Sequence, residues 1–197
     1  MAEFIKCWEN YTLWNYINGT GSYESASAYV TQDKSNYIMF DDGYGTMNYG
    51  FGVCISPNGG SKIYHTGYFK EEGIDITDSK YHQYNSSTLP VEIVDRVKEK
   101  IIEDKKEEVR NTATDIGVEL NDYQIDALAT CRYQGWEIPV VLTALKNNGL
   151  SDSLRGLCGG FNVGGNEYIS AERAEANWIL FSTGKYMDAL GNEITIK

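Results

Sequence analysis

The chain changes character at Leu89 and Pro90, and that change most narrows what it can fold into. Upstream, Gly, Tyr, Asn, Ser and Thr dominate. Short alternating stretches are separated by turn signals at Asn18-Gly19, Asp42-Gly43 and Asn58-Gly59, the pattern of a small β region. Downstream, Val94, Val97, Ile101 and Val109 recur at helical spacing among Glu, Asp, Lys and Arg, which predicts a long amphipathic helix with Pro90 at its first position. Asn121 or Asp122 opens a second helix, with Ile125, Leu128 and Ala129 inward and Gly135 as its stop. Residues 138–148 predict another helix ending at Gly149, and Ser170 opens one that runs from Ala171 to about Thr183 and closes at Gly184. Phe4, Ile5, Trp8, Tyr11 and Leu13 predict a helix at the start, with Glu3, Lys6 and Asn10 facing outward. The expected class is α+β in a single domain over 1–197: an N-terminal helix and small β-rich lobe to residue 89, then a helical lobe over 90–197.

Composition removes whole classes of function. With 42% apolar residues and only three prolines in 197, the chain has the make-up of a folded domain rather than a disordered one. Seventeen Lys and Arg against 28 Asp and Glu give a net charge of -11, which repels phosphate backbones and anionic bilayers, so nucleic acid is not an expected partner. No apolar run is long enough to insert in a membrane, and the first residues lack a signal peptide's pattern, so synthesis in the cytoplasm is expected. Cys7, Cys54, Cys131 and Cys158 fall singly, without metal-ligand spacing, and are read as reduced, mostly buried thiols. Fifteen tyrosines and four tryptophans suit sugar faces as well as cores.

There is no GxSxG elbow, no GxxxxGKS phosphate loop and no HExxH, and the only histidines are His65 and His82. Cys7 with His65 remains the one formal nucleophile and base. Carboxylate chemistry needs no cofactor or metal, and glycosidic bonds are cut by one protonated acid and one ionised partner. Two stretches fit it. In FIKCWENYTLWNY, Glu9 lies among Trp8, Tyr11, Leu13 and Trp14, apolar neighbours that favour the protonated acid. In IMFDDGYGTMNYGFGV, Asp41 and Asp42 stand at a hairpin bend. The Tyr49-Gly50-Phe51-Gly52 strand that follows alternates bulky and absent side chains, as backbone closely approached by a ligand does.

In this order the two stretches resemble the phage-type lysozymes, glycoside hydrolase family 24. The family has a first helix ending in Glu, a Tyr seven residues later, a hairpin with Asp, and a TIGYG strand. Glu9 and Tyr16 match the first two, and NYGFG (48–52) is similar to TIGYG with Gly50 and Gly52 in register. Asp42 stands six residues before Asn48, which occupies the family threonine's place. LNDYQIDALATCRYQG (120–135) and RAEANWILFSTGKY (173–186) resemble two of the family's helices, so the likeness covers most of the chain. Three features depart from the family. The 32 residues between Glu9 and Asp42 exceed its usual spacing and mark 19–36 as an insertion, Val53 stands where a histidine often follows, and a bulge would make Thr46 the threonine, with Asp41 competing with Asp42. A Glu24–Asp33 pair mimics the shorter spacing but lacks the apolar helix and the glycine strand.

The resemblance implies a lysozyme-like fold with its cleft between the lobes, and a muramidase that cuts peptidoglycan between N-acetylmuramic acid and N-acetylglucosamine. It casts Glu9 as proton donor, Asp42 and Asn48 as holders of the attacking water, and Tyr49, Phe51 and Trp136 as candidates for sugar contact. Arg132 and Arg173 are expected as structural partners of acidic residues or as contacts to substrate carboxylates. No cofactor is implied. The partner would be the glycan strand of the bacterial wall, reached through a membrane pore or on a phage tail. A separate wall-binding protein or domain would offset the negative charge. The alternatives are a lytic transglycosylase using Glu9 alone and a non-catalytic glycan-binding module.

Overall fold

The computed structural model describes residues 1–43, 45–56, 62–151, 154–156 and 171–195. The protein is α+β, and its chain divides into two compact units, 1–8 with 101–197, and 9–100. The composition change at residue 89 therefore marks a change of secondary structure, while the division into units falls inside two helices, α1 (Ala2–Glu9) and α5 (Val91–Ile116).

The first unit is helical. Its core holds Phe4 and Ile5 of α1, Ile102, Val109 and Ala113 of α5, and the buried faces of α6 (Asp122–Tyr133), α7 (Ile138–Asn148) and α8 (Ala171–Thr183). Asn121 starts α6 through a capping box: its carboxamide oxygen accepts from the Gln124 amide at 3.0 Å, and the Gln124 side chain accepts from the Asn121 amide at 3.1 Å. Ile125, Leu128 and Ala129 are buried as their spacing predicts. α7 carries Pro139 in its first turn and ends at Gly149. α8 is followed by Gly184, while Ser170, its expected cap, lies outside the described residues.

The second unit carries the β structure. β1 (Asn36–Ile38) pairs antiparallel with β5 (Thr88–Pro90), and β2 (Phe40–Asp41), β3 (Met47–Tyr49) and β4 (Val53–Ser56) form a three-stranded antiparallel sheet. Tyr37, Met39, Tyr49, Phe51, Val53, Ile55 and Leu89 are buried in it, as are Leu13, Val97 and Phe69 of α4 (Thr66–Glu71). The expected insertion at 19–36 contains α3 (Tyr23–Ala26) and is tied to Tyr16, whose hydroxyl donates to the Gln32 carbonyl at 2.8 Å, while the Lys34 ammonium donates to the Tyr16 carbonyl at 2.8 Å.

Three local expectations are corrected. The first helix is two helices, because Asn10 caps α2 (Tyr11–Ile17), its side chain accepting from the Leu13 amide at 3.0 Å. Pro90 is the last residue of β5 rather than the first of α5; its ring fits a strand end, and the Val91 amide donates to the Ser35 carbonyl as the helix begins. Tyr49-Gly50-Phe51-Gly52 is not one strand. β3 ends at Tyr49, and Gly50 (φ 56) and Gly52 (φ 74) turn the chain into β4 with dihedrals that side chains resist. Asn58-Gly59 lies outside the described residues. No helix among the described residues is long and apolar enough to cross a membrane.

Candidate active site

Glu9 ends α1, next to the Asn10 cap that redirects the chain into α2. Its carboxylate is half-buried and rests on Gly52: a Cβ at Gly52 would stand 2.9 Å from Glu9 Oε2. Gly50, two residues earlier, is filled in the same way by the Tyr37 ring, with carbons 2.7 and 2.8 Å from the Cβ position. The two glycines are therefore required by protein groups, the Glu9 carboxylate and the Tyr37 ring, and not by a ligand approaching the backbone.

At the opposite end of β3, Asp42 and Thr46 face each other across the loop from β2. The Asp42 amide donates to the Thr46 carbonyl at 3.2 Å, and the Thr46 amide donates back to Asp42 Oδ1 at 3.1 Å. One oxygen of Asp41 accepts from the amides of Gly43 (2.7 Å) and Gly45 (2.9 Å), so Asp41 builds the loop that presents Asp42. Both aspartates are exposed. The pairing of β3 with β4 shifts register between Met47 and Asn48, whereas β2 and β3 pair without a shift. Asn48 is buried at 5% exposure, and its Nδ2 donates to the Thr46 carbonyl at 2.8 Å. Its amide thus supports the loop from beneath, whereas Thr46 is tied directly to Asp42. Cys54, opposite Asn48, is half-buried; burial pushes its thiol up to about 11, and the negative charge of Asp42 adds to that shift.

The expected sugar contacts are corrected. Tyr49 and Phe51 are 0% and 2% exposed; the Tyr49 hydroxyl donates to the Tyr81 carbonyl at 2.9 Å, and Phe51 packs edge-on to Tyr37. Both rings are core, with no face for a sugar. Trp136, in the helical unit, is 6% exposed, and its indole N–H has no partner among the described residues. Arg132 is ion-paired to Glu108 at 2.7 Å, and Arg173 is buried. Cys7 is fully buried, donates to the Phe4 carbonyl, and has its thiol pushed up to about 12 chiefly by burial, so it offers no thiolate nucleophile. Cys131 is buried as well, and Cys158 lies outside the described residues. Asp33, half of the Glu24–Asp33 pair, is held in a turn by the Thr31 and Ser35 hydroxyls, which bring its carboxyl down to about 2.

Lys98 escaped the sequence reading. It is 1% exposed and donates from its ammonium to the carbonyl of Phe51, inside the two-glycine turn. Its signal was its position: four residues after Val94 and three before Ile101, it falls on the apolar face of α5 rather than among the solvated lysines. Among the described residues, no group of three or more His, Cys, Asp or Glu is arranged to hold a metal ion. Comparison with family models, with curated proteins and with solved structures gave no match to this chain.

Proposed function

We propose that this protein is a muramidase that hydrolyses the bond between N-acetylmuramic acid and N-acetylglucosamine in peptidoglycan, on a lysozyme-like α+β fold. One observation carries the reading. The Glu9 carboxylate is seated on the glycine turn at one end of β3, and Asp42 is presented by the loop at its other end, all within one compact unit. β3 has three residues, a length of about 10 Å at the usual rise per residue. Inverting glycosidases place their two carboxyls roughly 6.5–9.5 Å apart to leave room for a water. A strand of this length keeps the supports of the two carboxyls at a separation of that order.

In this mechanism Glu9 gives its proton to the leaving glycosidic oxygen. Asp42, held by the Thr46 amide and flanked by the Asp41-built loop, orients a water on the other face of the sugar and takes its proton as it attacks. Thr46 stands beside Asp42, and Asn48 acts by holding the Thr46 carbonyl. The test is release of soluble fragments from purified peptidoglycan. The wild type is expected to release them, and Glu9→Gln and Asp42→Asn are each expected to lose at least about 10²-fold in rate while remaining folded. Unchanged release by Glu9→Gln contradicts the proposal, and loss in Glu9→Gln alone points to a transglycosylase. A folded wild type that pellets with the wall and releases nothing is a binding module.

A further inference from the structure

A fully buried lysine needs a reason. Removing an ammonium from water is costly, and a methionine or leucine would fill the same place between Val94, Val97 and Ile101 without that cost. The Lys98 ammonium donates to the carbonyl of Phe51. That carbonyl belongs to the peptide group whose nitrogen is Gly52, and Gly52 is the residue on which the Glu9 carboxylate rests. A second tie runs from the same helix to the same turn: the Tyr37 hydroxyl donates to Asp95 Oδ1 at 3.0 Å, and the Tyr37 ring fills the space left by Gly50. α5 thus holds the two-glycine turn through both of its glycines, once by a packed ring and once by a charge.

We propose that Lys98 is a positioning residue for Glu9, acting through the Phe51–Gly52 peptide. The ammonium fixes the plane of that peptide and polarises it, since a charged donor on the carbonyl draws electron density away from the amide nitrogen. The Glu9 carboxyl then meets a rigid, electron-poor surface and is kept in one orientation toward the glycosidic oxygen. The proposal rests on the muramidase reading for what Glu9 does, but the link from Lys98 to Gly52 is measurable without any substrate.

The experiment compares the wild type with Lys98→Met, Lys98→Gln and Lys98→Arg by three readouts: thermal unfolding, kcat and KM on solubilised peptidoglycan, and the backbone amide nitrogen shift of Gly52 by NMR. Lys98→Met, similar in volume, is expected to stay folded and to unfold within a few degrees of the wild type, because the relieved desolvation cost offsets the Phe51 carbonyl left unpaired. Its Gly52 amide is expected to move to lower frequency as the carbonyl loses its charged donor. Its kcat is expected to fall by roughly 10-fold to 100-fold with KM unchanged, the signature of a misplaced acid rather than of lost binding. Lys98→Gln, which keeps a neutral donor, falls between, and Lys98→Arg recovers most of the rate. A folded neutral variant with wild-type kcat overturns the proposal, and so does failure of both neutral variants to fold, which would make Lys98 a folding residue. If the wild type releases no fragments while the Gly52 shift still responds, the muramidase reading is what has failed, and the role assigned to Glu9 falls with it.

Discussion

At Gly52 a missing side chain is what admits the Glu9 carboxylate. Alanine there would carry two separable costs: a left-handed φ of 74, and a methyl 2.9 Å from Oε2. Gly73 has a similar φ of 78 with nothing within 4 Å of its Cβ position, so it isolates the first cost. Both Gly52→Ala and Gly73→Ala are expected to lose about 1–2 kcal/mol in chemical denaturation. Only Gly52→Ala is expected to lose roughly 10²-fold in kcat as well, because its methyl displaces the acid. Equal activity in the two variants would detach Gly52 from the site. Glu9 and Asp42 stand out in the sequence as candidates because a carboxylate in an apolar helix and an Asp-Gly turn are local patterns. What occupies the glycines was not, since Tyr37 and Glu9 reach them only through the fold. The same reason hid Lys98, whose charge resembles that of its solvated neighbours on α5 until burial distinguishes it.

The elements were most legible where a cap or a glycine marks them. The Asn121 capping box, Gly149 after α7 and Gly184 after α8 stand where their residue types required. The boundary between α1 and α2 was missed because apolar spacing continues through it, and only Asn10, polar on an outward position, gives the break away. That cap places Glu9 at a helix end instead of mid-helix. Asn10→Ala is expected to cost about 1 kcal/mol in chemical denaturation. Asn10→Asp, which keeps the cap oxygen, is expected to stay within about 0.5 kcal/mol. A silent Asn10→Ala would mean that packing alone sets the break. The β3–β4 turn was misread for the opposite reason. Alternating bulky and absent side chains has the period of a strand, but the left-handed dihedrals of two glycines override it.

Across the whole molecule, the buried acids set the alkaline limit of stability. Burial raises Cys7 and Cys131 to about 12 and Cys54 to about 11, from an ordinary 9.0. It also raises the Tyr49 and Tyr186 hydroxyls, with the Asp126 carboxylate that accepts from Tyr186 adding to the second. Each folded value lies above the unfolded one, so the stability these groups contribute is complete below about pH 9. It is lost as the pH rises through the folded values, because the unfolded chain releases its protons first. Melting temperature is expected to fall steadily between about pH 9 and pH 11. A flat profile across that range would mean that the thiols are not buried in solution. The charge of -11 acts at the same scale and repels anionic polymers and surfaces.

In the proposed reaction Glu9 delivers a proton while water attacks the sugar. The most direct measurement is mass spectrometry of fragments released from peptidoglycan in water enriched in oxygen-18. Hydrolysis of this kind gives reducing N-acetylmuramic acid ends carrying one heavy oxygen, absent when Glu9 is replaced by Gln. Unlabelled anhydro ends, formed without water, would contradict it.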